Sequence, residues 1–188
     1  MRLAFALVLA GCNSGGSGAI DAPVNLEASV DTPAGAFALS SPMLANNAMF
    51  PVANTCDGAD TSPELDWVNA PPGVGSFAVV LYDRSLTPNL IHWVLYDIPG
   101  SATGLPAGVG MGYEPANVPG AHQPIGLQGE RQYHGPCPPS LHVYDFIVYA
   151  LPELILPGAT MDTTKEDAEA SITAHQGIMA TLTGTYMH

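Results

Sequence analysis

Four polar side chains lie at the ends of three apolar segments, where they could line a ligand pocket or transfer a proton. Asp83 ends the first segment, His92 lies near the start of the second, and His142 and Tyr144 open the third. Imidazole and phenol groups donate hydrogen bonds, and a carboxylate can orient an imidazole through a charge-assisted hydrogen bond. Such groups at strand ends beside loops are typical of ligand pockets on rigid scaffolds.

The charge balance restricts which partners this chain could bind. Seventeen acidic residues against four Lys and Arg give a formal net charge of -13. Nucleic acid, which is bound through many Lys and Arg, is not expected as a partner.

Three other kinds of chemistry are open to the same residues. In a hydrolase or transferase, His92 and His142 would act as acid and base while Asp83 orients one of them, although the sequence has no Gly-x-Ser-x-Gly nucleophile motif. Cys137 could instead be a thiolate nucleophile served by His134 or His142. Asp83 and the three histidines could also bind a divalent metal, but they lack the close spacing of paired metal ligands. We predict neither a metal nor a cofactor, and we favour binding over catalysis.

The segments that position these groups have the composition of buried β-strands. Residues 77–83, 91–98 and 143–151 are rich in β-branched and aromatic residues and are bounded by Pro and Gly clusters. All three are apolar on both faces, as expected of central strands that are covered on each side. The eighteen prolines and twenty glycines also favour many short elements joined by tight turns. The sequence therefore predicts a mainly β protein.

Alternation along each strand predicts the face on which each polar side chain lies. Asp83 should share a face with Leu81, and His92 should share a face with Val94 and Tyr96. His142 and Tyr144, which open the third strand, should share a face with each other.

The C-terminal region predicts one helix followed by one strand. In the segment 162–177, Thr163 and Glu166 have the spacing of a capping box, acidic residues crowd the first turn, and Gly177 is a helix-ending residue. The segment MATLTGTY (179–186) alternates in the manner of a strand.

The first residues have the features of a targeting segment rather than of a fold element. One Arg precedes an apolar run of eight or nine residues, far below the roughly 20 that span a bilayer. The sequence Leu9-Ala10-Gly11-Cys12 is similar to a bacterial lipoprotein processing site. We predict a signal segment at 1–11, acylation of Cys12 and a flexible tether at 12–34; the alternative is a secretory signal with an incidental cysteine. Both place the protein in the bacterial cell envelope, lipid-anchored, periplasmic or secreted.

Two cysteines remain after that segment, in a compartment where disulfides persist. A bridge between Cys56 and Cys137 is the simplest hypothesis, and the nucleophilic role of Cys137 is the alternative. By chain entropy a bridge across this separation would contribute about 4 kcal/mol to stability.

Five motifs in order along the chain carry a family resemblance. They are SPELDWVNAPPGVGSFAVVLYD, HWVLYDIPG, YHGPCPP, HVYDFIVYAL and LTGTY. With them, residues 35–188 resemble the phosphatidylethanolamine-binding protein family, specifically its bacterial Raf-kinase-inhibitor-like branch. The resemblance implies a single domain that is an antiparallel β-sandwich with one or two helices, including a C-terminal helix. It also implies a small anion-binding cavity that accepts phosphate-like head groups. Because the chain has few Lys and Arg, such an anion would be held by backbone N–H groups, hydroxyls and protonated imidazoles, and the turn GPCPP (135–139) beside His142 is expected to supply the first of these. We expect Asp83 to hold a cavity histidine and raise its pKa, so that anions bind more weakly as the pH rises. By motif, the ligand-binding residues are Asp83, His92, Gly135, Pro136, Cys137, Pro138, Pro139, His142 and Tyr144.

These observations predict a non-catalytic binding domain of the cell envelope. Its ligand would be a small anionic or phosphorylated molecule, and the rim of the same cavity could contact and modulate a protein partner. We expect contact with the membrane through the lipid anchor only. The alternative function is the hydrolase or transferase described above.

Overall fold

Eight strands and one α-helix form the part of the chain that the structure describes. The computed structural model describes residues 35–188, so the predicted signal segment, Cys12 and the tether lie outside the described residues. In chain order the elements are β1 (Ala38–Ser40), β2 (Ala48–Met49), β3 (Leu65–Val68), β4 (Ser76–Asp83), β5 (Leu90–Pro99), β6 (Gly104–Leu105), β7 (His142–Leu151), α1 (Lys165–His175) and β8 (Met179–Tyr186). Short 3-10 turns occur at Val52–Asn54 and Leu127–Gly129.

The strands form a three-stranded sheet and a five-stranded sheet. The orders are β1-β3-β6 and β2-β8-β7-β4-β5. Neighbouring strands are antiparallel except for the short β2, which is parallel to β8. The prediction of a mainly β sandwich with a C-terminal helix is confirmed.

The large sheet is covered on both faces, which explains why its strands are apolar throughout. On one face, Trp67 of β3 contacts Phe77 of β4 with 5.1 Å between ring centroids, within the core that joins the two sheets. On the other face, Ala168 and Ile172 of α1 pack with Val80 and other residues of β4, β5 and β7. Every residue of β4 is buried. Burial of both faces fixes the positions of the strand ends that carry the polar groups.

The position of β5 differs from the prediction of three central strands. β4 and β7 are central, but β5 lies at the edge of the large sheet. All of its residues except the first and the last are nevertheless buried, because a loop covers this edge: Tyr96 and His122 exchange two backbone hydrogen bonds of 3.0 and 2.8 Å. The apolar character of β5 therefore reflects loop cover rather than a central place in the sheet.

The C-terminal elements follow the prediction except at the start of the helix. The bounds of β8 match the predicted strand. The capping box of Thr163 and Glu166 is wrong by one residue, because Thr164 caps the helix and its hydroxyl accepts from the backbone N–H of Asp167 at 3.1 Å. The carbonyl of Thr163 is instead held by the backbone N–H of Ile125 at 2.8 Å. Within residues 35–188, no helix has the length and apolar character needed to cross a bilayer.

Candidate ligand-binding cavity

Four predicted polar residues come together at one end of the large sheet. Asp83 at the end of β4 is the direct cross-strand partner of Tyr144 on β7. His142 lies two residues before Tyr144 and therefore on the same face. The ring of His92 from β5 meets the ring of Tyr144 edge-on, with 5.4 Å between centroids. The centroid of the His142 ring lies 6.4 Å from that of Tyr144.

A bulge in β5 turns His92 toward this group. The register between β4 and β5 shifts at this point and leaves His92 opposite no residue of β4. As a result, His92 contacts Tyr144. The next residue, Trp93, belongs to the core between the sheets, whereas Val94 and Tyr96 pack in the cluster that contains α1. The prediction that His92 shares a face with Val94 and Tyr96 is wrong, because the extra residue breaks strict alternation.

The four side chains line a cavity of about 470 Å³. This volume is within the range of pockets that hold small molecules. None of the described residues in its wall is Lys or Arg, so a bound anion would depend on hydroxyl and imidazole donors. The wall consists of Asp83, Leu86, Leu90, His92, Leu127, Cys137, Pro138, Pro139, His142 and Tyr144.

Two residues of the predicted site do not line the cavity. Gly135 and Pro136 are buried, and neither belongs to the wall. The N–H of Gly135 donates to Asp60 Oδ1 at 2.7 Å, so it is not free for an anion, and proline has no N–H to offer. A side chain at position 135 would overlap the backbone carbonyl of Asn54, which explains the glycine. The expected backbone donor is thus wrong at Gly135.

Asp83 holds one of the cavity histidines. His142 Nδ1 donates to Asp83 Oδ2 at 2.6 Å, and the second carboxylate oxygen accepts from the backbone N–H of Ser85 at 2.9 Å. The Asp83 side chain is 3% exposed and the His142 side chain is 15% exposed. The pair therefore fixes the imidazole plane of His142, which also lies in the cavity wall.

His92 has a different environment from His142. Its Nδ1 donates to the backbone carbonyl of His134 at 3.1 Å, and its Nε2 is buried without a hydrogen-bond partner among the described residues. Burial lowers the pKa of His92 below the ordinary value of 6.5; the hydrogen bond to His134 and the charge of Asp83 act in the opposite direction but are weaker. The rise in pKa was expected for the histidine that Asp83 holds, and His92 is not that histidine, so burial determines the direction of its shift.

Tyr144 supplies a hydroxyl that remains protonated. Burial raises the pKa of Tyr144 above its ordinary value of 10.0, and the negative charge of Asp83 and a hydrogen bond with its carboxylate raise it further. The phenol therefore stays protonated over the whole physiological pH range, and a ligand would share its O–H with Asp83.

Cys137 forms part of the cavity wall as half of a disulfide. Cys56 and Cys137 are bonded, with a Cα–Cα distance of 5.4 Å. In this state Cys137 is not a thiolate. Among the described residues, the ligand atoms near enough to share a metal ion belong to Cys56, Cys137 and His188, and two of these are consumed by the disulfide.

Comparison with known proteins places the chain in a family. A family model described as phosphatidylethanolamine-binding protein matches residues 40–187. The chain belongs to the phosphatidylethanolamine-binding protein family. The resemblance that its motifs predicted is confirmed, and the match includes every residue of the cavity wall.

Members from several organisms are similar to this chain. A Mycobacterium tuberculosis protein that carries the provisional name lipoprotein LppC is 32% identical over 197 residues, which cover 98% of this chain and 92% of that protein. The UPF0098 protein of Methanothermobacter thermautotrophicus is 36% identical over 141 residues, covering 72% of this chain and 89% of that protein. The crystal structure of Escherichia coli YbcL is described as that of a new member of the mammalian family. This chain matches it with a TM-score of 0.74 and 27% identity, over 81% of this chain and 98% of that one.

Three leucines of the cavity wall were not predicted. Leu86 and Leu90 lie on the segment that joins Asp83 to His92, so their position between two predicted site residues was a usable signal. Leu127 comes from a 3-10 turn far along the chain, and no local pattern in the sequence connects it to the site. These side chains make the cavity more apolar than its polar motif residues suggest.

Proposed function

We propose that this family member is a non-catalytic binding domain of the cell envelope whose cavity takes a small anion of the phosphate-headgroup type. The observation that carries the proposal is the convergence of His142, Tyr144 and His92 on one cavity, with Asp83 holding His142. Hydrogen-bond donors fixed in a mostly apolar cavity bind an anion without reorganising, which compensates for the absence of Lys and Arg in its wall.

The charges near the cavity support pH-dependent binding. Asp83 contributes a negative charge that repels an anion, and this charge is offset only when the imidazole of His142 is protonated. A protonated imidazole then presents its second N–H toward the cavity, beside the hydroxyl of Tyr144. We expect anions to bind more tightly in mildly acidic than in mildly alkaline solution.

The location in the cell envelope rests on the N-terminal sequence and on one relative. The sequence Leu-Ala-Gly before Cys12 is similar to a lipoprotein processing site, and the similar Mycobacterium tuberculosis protein carries a lipoprotein name. Acylation of Cys12 would hold the domain at a membrane surface on the tether. Replacement of Cys12 by Ser should move the protein from the membrane fraction to the soluble fraction; an unchanged distribution would contradict lipid anchoring.

The rim of the cavity supports contact with a protein partner. Leu86, in the cavity wall, is 39% exposed, and Leu141, the neighbour of His142, is 59% exposed. Exposed apolar side chains around a pocket are frequent at sites that bind another protein.

Calorimetric titration with inorganic phosphate and with phosphoethanolamine tests the binding function. We expect saturable binding that is tighter at about pH 5.5 than at about pH 8.5, and recovery of the unchanged ligand afterwards. Tyr144→Phe should weaken binding, while His175→Gln, at the end of α1 and outside the cavity wall, should not. Equal affinity at the two pH values would remove the histidines from the role, and product formation would favour the hydrolase or transferase.

A further inference from the structure

The Cys56–Cys137 disulfide has a histidine beside it on the protein surface. Both cysteines are exposed, and so is His188, which follows β8. The two sulfur atoms and a ring nitrogen of His188 all lie within 4.8 Å of one another. An imidazole at this distance can supply a positive charge or a proton when the S–S bond opens.

Backbone hydrogen bonds hold this histidine and the disulfide together. The N–H of His188 donates to the carbonyl of Pro138 at 2.9 Å, and the N–H of Cys56 donates to the carbonyl of Pro136 at 3.2 Å. Tyr186, two residues before His188, is buried in the ladder between β7 and β8. The turn 135–139, the loop that carries Cys56 and the end of β8 are thus joined at one place, and the fold keeps His188 next to the bridge.

Asp57 orients the imidazole of His188. Its Oδ1 accepts a hydrogen bond from His188 Nδ1, and its Oδ2 accepts one from the hydroxyl of Tyr186. The hydrogen bond from Tyr186 lowers the pKa of Asp57 below the ordinary value of 3.8, and the contact with His188 lowers it further, so the carboxylate is charged. Because both of its oxygens already accept hydrogen bonds, Asp57 repels a thiolate at the neighbouring Cys56 less than a free carboxylate would.

The chemistry of thiol–disulfide exchange requires a group of this kind. A thiolate attacks one sulfur of the disulfide, and the other sulfur leaves as a thiolate. A protonated imidazole nearby stabilises the leaving thiolate and neutralises it by giving up its proton. Since the ring nitrogen of His188 is within 4.8 Å of both sulfur atoms, it can serve either one as the leaving group.

We propose that the Cys56–Cys137 bridge is a site of thiol–disulfide exchange with an external dithiol, and that His188 is the proton donor to the leaving sulfur. A thiolate of the dithiol bonds to one sulfur, the S–S bond breaks, and the other sulfur takes the proton of the imidazolium. The second thiol of the dithiol then loses its proton, attacks the mixed disulfide and leaves with the first as a disulfide, while the released protein sulfur takes up a proton. Two electrons and two protons pass from the dithiol to the two cysteines. Asp57 is a positioning residue in this reaction.

Reduction of the folded protein by dithiothreitol at about pH 7 tests the proposal. The thiols gained over the unreduced protein are trapped with a maleimide and counted by mass spectrometry. We expect a rate that rises in proportion to the dithiothreitol concentration, because the bridge is reached without unfolding. His188→Gln should slow reduction at least about tenfold, and His188→Lys, which keeps a positive charge, should restore part of the rate. Asp57→Asn should slow it by a smaller factor. His175→Gln is the matched histidine control and should react at the unaltered rate.

Three results would overturn the proposal. A reduction rate that levels off at the unfolding rate, as the dithiothreitol concentration rises, would show that the bridge opens only in the unfolded chain. Equal rates for the unaltered protein and His188→Gln would remove the imidazole from the reaction. A loss of rate in His188→Gln that His188→Lys does not restore would assign His188 a structural role instead. None of these results depends on anion binding, so the exchange site and the proposed function are tested separately.

Discussion

Two Asp–His pairs on the large sheet have similar geometry but different surroundings. His142 Nδ1 donates to Asp83 at 2.6 Å, and His122 Nδ1 donates to Asp97 at 2.9 Å. Both carboxylates are buried, with Asp83 2% exposed and Asp97 6% exposed. Each pair also lies near an irregularity in the pairing of β4 with β5. By the usual criteria for a buried charge partner, the two pairs are equivalent.

The difference lies in what the remaining atoms of each pair do. The second oxygen of Asp97 accepts from the backbone N–H of Leu156 at 2.6 Å, and the ring of His122 packs on Tyr113 with 4.5 Å between centroids. This pair fastens two loops to the edge of the sheet. The Asp83 pair lines a cavity whose wall also includes His92, a histidine with a buried and unpartnered ring nitrogen. An Asp–His pair therefore indicates a ligand site only where space and unsatisfied hydrogen-bonding groups accompany it.

Removal of the disulfide should have the largest effect on stability. The bridge beside the cavity joins residues 81 apart in sequence, so Cys56→Ala with Cys137→Ala should lower the free energy of unfolding by about 4 kcal/mol. Comparison of urea denaturation between this double variant and the oxidised protein measures the loss. With added reductant, the stability of the oxidised protein should fall toward that of the variant. A protein whose stability is unchanged by reductant would show that the cavity wall does not depend on this link.

Loss of Asp97 should reduce stability without affecting binding. Asp97→Ala leaves the N–H of Leu156 and the ring of His122 without their acceptor, and it places alanine at a φ of 58°. We expect a loss of about 3 kcal/mol, measured by denaturation. Asp97→Asn is the control, because asparagine tolerates positive φ and retains one acceptor, and it should lose less. Weakened phosphate binding by a folded Asp97→Ala protein would contradict the separation of the two pairs.

Neutralisation of Asp83 should have the opposite pair of effects to loss of Asp97: it should weaken binding and change stability less. Asp83→Asn removes the charge that holds His142 and favours its protonated form. Because this loss outweighs the relief of repulsion between Asp83 and the anion, it should weaken phosphate binding by about tenfold, with a smaller loss of stability than Asp97→Ala. Calorimetry measures the affinity. Asp145→Asn is the control on the neighbouring strand, since Asp145 pairs with Arg84 at 3.5 Å and lies outside the cavity wall. Equal weakening by both substitutions would point to a general charge effect.

His92 should contribute a small component to the pH dependence of the free energy of unfolding. Because folding lowers the pKa of His92 below 6.5, the unfolded chain binds a proton between those two pKa values that the folded chain does not. The free energy of unfolding should therefore fall as the pH drops through 6.5 and level off below the folded pKa, by at most about 1.4 kcal/mol per pH unit. Denaturation at a series of pH values should show that His92→Gln lacks this component. Identical slopes for the two proteins would contradict the pKa shift.

Local patterns in the sequence located the polar end of the cavity. Strand composition and flanking turns placed Asp83, His92, His142 and Tyr144 at strand ends, and the ends of neighbouring antiparallel strands meet at one edge of a sheet. The alternation of 179–186 also gave the bounds of β8. These features depend on residues close in sequence, so they could be predicted.

Features that depend on distant residues could not be predicted. The bulge that turns His92 toward Tyr144 follows from the register between two strands, which alternation within one strand does not reveal. The N–H of Gly135 is taken by Asp60, 75 residues away. The same limit applies to Leu127 and to the loop that covers β5, because only the folded chain brings them to their places.

Histidine imidazole NMR during a titration with inorganic phosphate at about pH 6.5 tests the central claim most directly, since it observes both Asp–His pairs and His92 in one experiment. The account predicts that the nitrogen signals of His92 and His142 shift and saturate together with a single affinity, while those of His122 stay fixed. Signals of His92 and His142 that do not move while phosphate binds elsewhere, or equal shifts at His122, would contradict it.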